Sequence, residues 1–246
     1  SMELSKTIST GWGGVLVLNK NLFFKNIDEK YNNYHEDNFF KVVQDVTQTI
    51  ISAINNMPNF HFFGKYISYV FFKINLFRYS TTVDEINGLP SKFFISKLSF
   101  PFLFLANHQW SRLDSISNKC HKNYSVIIKR LQFHGYTILN QTNEKKHKPI
   151  SSRIALLVKD RDLVMDFFLK RGIELGNWFD GPLTPIPNNK NFNYVSSSYH
   201  NSNLISKHII NIPCHFRLSS NDINLICGVI DDFSLKNPNQ KLILKN

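Results

Sequence analysis

The residue best placed for chemistry is Lys6, which stands near the start of the chain and precedes a glycine-rich turn. The turn contains Gly11, Gly13 and Gly14, and the apolar run over residues 13–18 predicts a buried strand. A lysine held beside such a turn and strand loses hydration, which disfavours the ammonium form and leaves an amine that attacks carbonyls. The spacing alone leaves a second interpretation open, because most surface lysines beside a glycine turn have no catalytic role.

Other signatures of chemistry are weak along the chain. The glycines do not form a dinucleotide-binding fingerprint, because that motif needs a preceding strand and a following helix. The histidines never adopt a His-Glu-x-x-His spacing or another ligand spacing on one predicted face. Cys120, Cys214 and Cys227 lie far apart, form no Cys-x-x-Cys pair and are odd in number, so neither a zinc knuckle nor a disulfide framework is indicated. The sequence therefore predicts no metal site and a reducing environment.

The composition describes a globular chain with a sizeable core. Of 246 residues, 42% are hydrophobic and 19% charged, which excludes disordered and low-complexity classes. The longest apolar runs fall well short of the roughly 20 residues that a membrane-spanning helix needs. Residues 1–14 lack the basic start and continuous apolar stretch of a signal peptide. We therefore expect a cytoplasmic protein without a membrane partner.

The net charge of +11 attracts phosphate-rich partners but does not identify one. Single-stranded nucleic acid is one alternative, because 22 Phe and three Trp could stack on bases beside a basic groove. Most of these Phe lie on apolar faces beside Ile, Leu and Val, a pattern more typical of core packing. Nucleotide-linked substrates are polyanionic as well, so the charge fits a small-molecule enzyme equally.

The hydrophobic pattern predicts helices in the first half and alternating elements in the second. Apolar residues recur with a helical period over residues 39–55, while residues 67–77 are helical or extended. Near-helical spacing over residues 94–131 predicts one long helix or two with a break. A strand, a helix and a turn toward another strand follow at residues 154–158, 161–170 and 172–176. Further along we expect a helix, an extended piece and a last helix, over residues 201–208, 209–213 and 220–233.

The start of that last helix has a capping signal. Ser219 or Ser220 is a suitable N-cap residue. Asp222 in the first turn complements the helix dipole.

The segment of residues 1–14 reads Ser-x-x-x-Ser-Lys-Thr-Ile-x-Thr-Gly-x-Gly-Gly and resembles the cofactor-lysine segment of the DegT/DnrJ/EryC1/StrS family of sugar aminotransferases. Residues 109–114 are similar to that family's Gln-Leu-x-x-Leu-Asp helix, and residues 161–173 to its Arg-Asp-x-Leu and Gly-Ile element. Residues 182–185 resemble its proline-leucine segment, and residues 205–223 its closing pattern of Ser-x-x-Asp before the last helix. The resemblance therefore extends almost from end to end.

The resemblance implies an α/β fold. It implies the end of a fold type I aminotransferase large domain followed by the small C-terminal α/β domain. The expected division is a large-domain remnant with a helical insertion over residues 1–90, then a connecting helix and small domain over residues 91–246. Family members carry a long segment before the cofactor lysine, so we expect this chain to be N-terminally incomplete.

The resemblance also implies a reaction and its residues. Transamination of a nucleotide-linked keto-sugar would use pyridoxal 5'-phosphate (PLP) and an amino-acid donor, in a homodimer. Lys6 would be the Schiff-base lysine and proton carrier, and Ser1 would bind the cofactor phosphate. Glu174 and Trp178 lie in a segment that reaches toward the cleft in relatives, although Trp178 also suits packing against the sheet.

Four departures from the family pattern leave room for a different role. Trp12 stands where the family often has an acidic residue, and Glu3 where it frequently has His. The family's Arg-x-His-Gly and Asn-Tyr-Arg segments have no counterpart between residues 20 and 100. The alternative is a truncated or degenerate homologue that acts as a non-catalytic structural or partner-binding protein.

Overall fold

The computed structural model of the chain describes residues 2, 6–17, 24–55, 61–79, 81–89, 96–138, 150–179, 181–184 and 198–241. The chain forms two compact units, Ser1–Leu113 and Asp114–Asn246. The domain boundary expected after residue 90 stays a prediction. Among the described residues, no helix is both long enough and apolar enough to cross a bilayer.

Helices make up the regular structure described in the first unit. They are α1 (Phe24–Asn32), α2 (Phe39–Asn55), α3 (His61–Lys73), α4 (Val83–Ile86) and α5 (Phe100–Ser111). The helix predicted over residues 39–55 is confirmed at both ends. The ambiguous stretch over residues 67–77 is helical as far as Lys73, so Tyr69, Phe71 and Phe72 lie on α3 and Phe77 follows it.

The predicted strand over residues 13–18 is wrong for its described part, residues 13–17. That segment has no strand pairing and its side chains are exposed, with Leu16 at 68% and Val17 at 80%. An apolar run becomes a buried strand only when a neighbouring strand satisfies its backbone groups. No described residue supplies such a strand here.

The second unit begins within α6 (Leu113–Phe133) and continues with β1 (Arg153–Leu157) and α7 (Arg161–Leu169). After these come α8 (His200–His208), β2 (Ile209–Pro213), α9 (Ser220–Lys236) and a short 3₁₀ helix, Pro238–Gln240. The stretch predicted as one helix or two is two, because α5 ends before Arg112 and α6 starts after it. The elements predicted at residues 154–158, 161–170, 201–208, 209–213 and 220–233 are all present, with ends shifted by up to three residues.

A two-stranded antiparallel sheet lies in the core of the second unit. β1 pairs with β2 in a register that sets Arg153 opposite Pro213 and Leu157 opposite Ile209. The strand expected after residues 172–176 is reduced to one bridge, between Gly176 and Asn211. Helices α6, α7 and α9 cover the sheet with fully buried aliphatic and aromatic side chains, among them Ile127, Leu131, Val164, Phe168, Ile226 and Ile230.

The cysteines are free thiols, as their spacing predicts. Cys120 and Cys214 are completely buried in the second unit. Burial, with a smaller effect of Cys120, raises the pKa of the Cys214 thiol to about 12. These thiols therefore stay protonated and pack as small apolar groups.

Helix α9 starts with a complete capping box. The Ser219 hydroxyl accepts a hydrogen bond from the Asp222 backbone N–H at 3.2 Å. The Asp222 carboxylate accepts one from the Ser219 backbone N–H at 2.7 Å. These bonds from Ser219 hold the pKa of Asp222 below its ordinary value.

We expect Ser219→Ala to lower the free energy of unfolding by about 1 kcal/mol, because it removes the N-cap acceptor. The Ser219 hydroxyl also donates to the Asp222 carboxylate at 2.7 Å, and this bond helps to depress the pKa of Asp222 in the folded state. The part of the stability that comes from this bond is therefore present above pH 3.8 and is lost as the pH falls through the folded pKa. Urea unfolding measured by circular dichroism at neutral and acidic pH tests both points. Ser220→Ala is the matched control, because Ser220 is the first residue of the helix and makes no capping bond; equal losses in both variants would contradict the prediction.

Candidate functional site

The segment that carries Lys6 is closed into a loop by backbone hydrogen bonds. The N–H of Met2 donates to the carbonyl of Gly13 at 2.9 Å, and the N–H of Thr10 donates to the carbonyl of Met2 at 2.9 Å. Thr10 is buried, and its hydroxyl donates to the Trp12 carbonyl across the turn. The turn that follows Lys6 is therefore fixed from both sides.

Two glycines are required by the shape of this turn. Gly11 and Gly13 have φ angles of +93° and +96°, a backbone conformation that residues other than glycine rarely adopt. A Cβ on Gly11 would clash with Thr49 Oγ1, and one on Gly13 would lie 2.6 Å from Leu98 Cδ1. The glycine pattern seen in the sequence thus serves both the backbone angle and close packing.

Lys6 itself is exposed, four residues before the buried Thr10. The partial loss of hydration expected for its amine is therefore not provided by the described residues. An exposed amine on a fixed loop is accessible to a carbonyl compound from solution. The companion residue proposed from the sequence, Ser1, lies outside the described residues.

Trp12 links the turn to a buried ion pair. The Arg78 guanidinium lies over the Trp12 ring, with Cζ 3.8 Å from the ring centroid. Arg78 Nε and Nη2 donate to the two carboxylate oxygens of Asp45 at 2.7 and 2.6 Å. Asp45 is 2% exposed; its burial raises the pKa of the carboxyl, and the charge of Arg78 opposes that rise. The turn is thereby anchored to α2 through a cation-π contact and a bidentate ion pair.

The turn forms one wall of an open cavity of about 720 Å³ within the first unit. Residues 11–15, Tyr31 and Lys97 line it together with Phe102 and Trp110 of α5. Lys6 does not line this cavity. Aromatic walls with one lysine and the Asp45–Arg78 pair could hold a flat ligand.

Both carboxylates that line the cavity already have cationic partners. Asp37 binds Lys41 at 2.6 Å, and Asp45 binds Arg78. No group of three or more His, Cys, Asp or Glu in the described part of the chain is placed to hold a metal ion. The cavity therefore presents aromatic rings and cationic side chains, while both of its carboxylates form ion pairs within the protein.

Glu174 and Trp178 lie in the second unit, on a segment that runs beside β2. Gly176 and Asn211 exchange backbone hydrogen bonds of 2.9 and 2.8 Å, and Asn211 Nδ2 donates to the Trp178 carbonyl at 3.0 Å. The Trp178 ring is 41% exposed, stacks on Phe179 and has the Arg153 guanidinium 5.1 Å from its centroid. Glu174 is exposed. Both side chains therefore lie at the surface of the second unit.

Sequence reasoning missed the Asp45–Arg78 pair and the role of Trp12. One signal was present, because Asp45 interrupts a strongly apolar stretch of α2. Nothing in the sequence locates its partner, which is 33 residues away. The sequence analysis did single out the glycine turn and the segment that contains Trp178 as candidate functional segments.

The chain was compared with families, curated proteins and solved structures. The sequence profile described as the DegT/DnrJ/EryC1/StrS aminotransferase family matches residues 104–231. No curated protein gives a significant match.

Solved structures of sugar aminotransferases match part of the chain. Spr1654 of Streptococcus pneumoniae, assigned as a sugar aminotransferase, matches in its PMP and PLP forms with 18% identity and TM-scores of 0.50. A DegT/DnrJ/EryC1/StrS aminotransferase of Brucella abortus matches with 16% identity and a TM-score of 0.49. The Spr1654 match covers 59% of this chain and 38% of that one, and the Brucella match 58% and 38%. The chain thus spans well under half the length of these relatives, and the predicted α/β fold class is confirmed.

We expect Gly11→Ala to lower the free energy of unfolding by about 1–3 kcal/mol, because alanine is strained at this positive φ and clashes with Thr49. Gly228→Ala is the matched control. Gly228 lies within α9 and an added Cβ there meets nothing within 4 Å, so that variant should gain up to about 1 kcal/mol. Urea unfolding followed by circular dichroism measures both, and unchanged stability of the Gly11 variant would contradict the strain.

We expect Arg78→Gln to lower the free energy of unfolding by about 3–5 kcal/mol, because it leaves the Asp45 carboxylate buried without its partner. Addition of Asp45→Asn should recover part of the loss, since two amides can bond without a buried charge. Arg171→Gln is the control, because Arg171 also contacts a carboxylate and a phenyl ring, but its pair with Asp232 is partly exposed. That variant should lose much less stability than Arg78→Gln, because water screens an exposed ion pair. The same unfolding assay checks all three, and a similar loss for both arginines would refute the importance of burial.

Proposed function

The chain belongs to the DegT/DnrJ/EryC1/StrS aminotransferase family, and on that premise we propose that it serves PLP-dependent transamination of a nucleotide-linked keto-sugar, with Lys6 as the lysine that binds the cofactor. The observation that carries the proposal is the fixed loop that presents Lys6 ahead of two obligatory glycines. That loop lies outside the matched residues 104–231 and so adds support of its own. The neighbours in PLP and PMP forms are sugar aminotransferases, which supports the cofactor.

When bound, PLP supplies the electron sink for the carbanion formed at the substrate. The residues of this chain hold and position the reactants. Lys6 would supply the amine that holds the carbonyl carbon of the cofactor until the substrate amine displaces it. The released Lys6 amine would then carry the proton between the substrate Cα and the cofactor carbon C4′. The glycine turn holds the main chain of this segment in place, which limits the motion of the amine relative to the substrate.

The substrate contacts come from the second unit in this proposal. Trp178 offers an exposed ring for a sugar or base face, and Glu174 offers an exposed carboxylate that accepts hydrogen bonds from sugar hydroxyls. Arg153, beside the Trp178 ring, adds a cation suited to a substrate diphosphate. The high net positive charge of the chain also favours a nucleotide-linked substrate.

PLP needs an amine that binds its carbonyl carbon and a carboxylate that pairs with its pyridinium nitrogen. The described residues meet the first need better than the second. The Lys6 amine is present and accessible. Tuning of the ring calls for a carboxylate beside the pyridinium nitrogen. The two carboxylates of the cavity are bound to Lys41 and Arg78, and Lys6 does not line that cavity. We therefore expect this chain by itself to bind PLP weakly.

A non-catalytic homologue is the second candidate function. It is favoured by the exposure of Lys6 and by the commitment of Asp37 and Asp45 to structural ion pairs. Such a protein would retain the fold and a partner-binding surface without the reaction. The cofactor titration below separates the two candidates.

We expect PLP to give a weak, saturable change in visible absorbance with the wild-type chain, and Lys6→Ala to abolish it. Lys73→Ala is the matched control, because Lys73 is an exposed lysine of the same unit outside the loop. Borohydride reduction followed by peptide mass spectrometry should place the adduct on Lys6. Equal signals from the Lys6 and Lys73 variants would refute the assignment of Lys6. The absence of a saturable signal in every chain would favour the non-catalytic homologue.

A further inference from the structure

The cavity of the first unit takes no part in the proposed reaction. Neither Lys6 nor the candidate substrate contacts Glu174 and Trp178 line it. Its volume of about 720 Å³ falls within the range of ligand-binding pockets, roughly 300–1,000 Å³. The side chains of its walls therefore indicate which kind of ligand it would take.

Helix α5 supplies one wall of the cavity from a single face. The residues of that face recur at helical intervals, and they are Phe102, Leu103, Ala106, Asn107 and Trp110. Phe102 and Ala106 are buried, whereas the Trp110 ring is 52% exposed. This wall therefore has an apolar floor and an indole ring that a ligand can reach.

The glycine turn supplies a second wall. Its Trp12 ring is held in place by the Arg78 guanidinium, which lies over it at 3.8 Å from the ring centroid. Tyr31 of α1 adds another ring to the lining. Flat aromatic rings pack favourably against such side chains, in stacked or edge-to-face arrangements. The walls therefore favour a ligand that contains a flat aromatic ring.

The charges that line the cavity are balanced within the protein. Each charged side chain of the lining has an oppositely charged partner: Asp37 with Lys41, Asp45 with Arg78, and Lys97 with Glu36. A charged ligand would have to compete with these pairs, whereas an uncharged ligand leaves them intact. The walls therefore favour a ligand without net charge.

The lining also contains polar side chains that can bond a ligand. The hydroxyls of Ser96 and Ser99 and the amide of Asn107 form no hydrogen bond with the described part of the chain. A hydroxyl both donates and accepts, and an amide offers an acceptor oxygen and two donor hydrogens. These groups suit a ligand that carries hydroxyls beside its aromatic ring.

We propose that this cavity binds a nucleoside, with the base against the aromatic walls and the sugar hydroxyls on the free serine and asparagine side chains. A nucleoside joins a flat aromatic base to an uncharged sugar with several hydroxyls, which are the three properties that the walls favour. A nucleotide adds a phosphate, and the described lining holds no unpaired cation for it.

The nucleoside site does not depend on the proposed transamination. Lys6, which carries that proposal, does not line the cavity. The family profile begins at residue 104, so most of the lining lies outside the matched region. Failure of PLP to bind would therefore leave the nucleoside proposal standing, and absence of nucleoside binding would leave the PLP titration unaffected.

Isothermal titration calorimetry of the full chain with adenosine tests the proposal. We expect saturable binding that added salt does not weaken, since no ion pair forms between protein and ligand. Adenine, which lacks the hydroxyls, and ribose, which lacks the ring, should each bind at least about fivefold more weakly. Adenosine monophosphate should bind within about threefold of adenosine, because its phosphate meets no unpaired cation.

Two pairs of variants place the site. Trp110→Ala should weaken adenosine binding about tenfold, because it removes a ring that the base contacts. Phe104→Ala is its control, since Phe104 is an exposed aromatic residue of α5 outside the lining. Asn107→Ala should weaken adenosine binding about fivefold but leave adenine binding unchanged, because adenine lacks the sugar. His108→Ala is its control, since His108 is the exposed neighbour of Asn107 and does not line the cavity.

Circular dichroism checks that every variant is folded. The proposal is overturned if the wild-type chain shows no saturable binding of adenosine, or if Trp110→Ala and Phe104→Ala bind it equally well. Adenine that binds as tightly as adenosine would reduce the site to an aromatic pocket without a role for the hydroxyls. Adenosine monophosphate that binds more than about tenfold more tightly, with a loss in added salt, would make the site one for anions and overturn the nucleoside assignment.

Discussion

The buried ion pair between Asp45 and Arg78 determines how the first unit is arranged. A carboxylate with 2% exposure is stable only while a cation neutralises it, because an unpaired charge in such a place costs several kcal/mol. The pair therefore holds the polar side of α2 against the segment that follows α3. The same guanidinium covers the Trp12 ring, so the pair also positions the turn that carries the two obligatory glycines.

That constraint has two consequences on different sides of one helix. On the inner side it fixes the turn that follows Lys6. On the outer side it leaves apolar residues of α2 exposed, among them Phe39, Ile50 and Ile54, because a helix cannot turn both sides inward. One electrostatic requirement thus accounts for the fixed turn and for the exposed apolar side of α2.

The second unit is organised in the conventional way, and the contrast explains what the sequence could predict. Its strands and helices bury their apolar residues, so periodicity located β1, α7, β2 and α9, and residue type limited the N-cap to Ser219 or Ser220, of which the structure has Ser219. In the first unit periodicity located α2. It could not show which side of the helix faces inward, because helical spacing does not depend on which side packs against the rest of the protein. The strand expected at residues 13–18 failed for the related reason that an apolar run does not reveal whether a partner strand exists. The pairing of Asp45 with Arg78 depends on a contact across 33 residues, which local pattern does not contain.

The boundary of the family match falls where the physical character of the chain changes. Residues 104–231 include the apolar core of the second unit, where burial follows hydrophobicity and the fold resembles that of solved aminotransferases. Helix α2 lies outside the match and departs from that rule, because its buried residues are Asp45 and Gln48 while Phe39, Val43 and Ile50 are exposed. The ion pair of Asp45 with Arg78 and the hydrogen bonds of the Gln44 and Gln48 amides stabilise this orientation, and they oppose the cost of leaving apolar side chains in water.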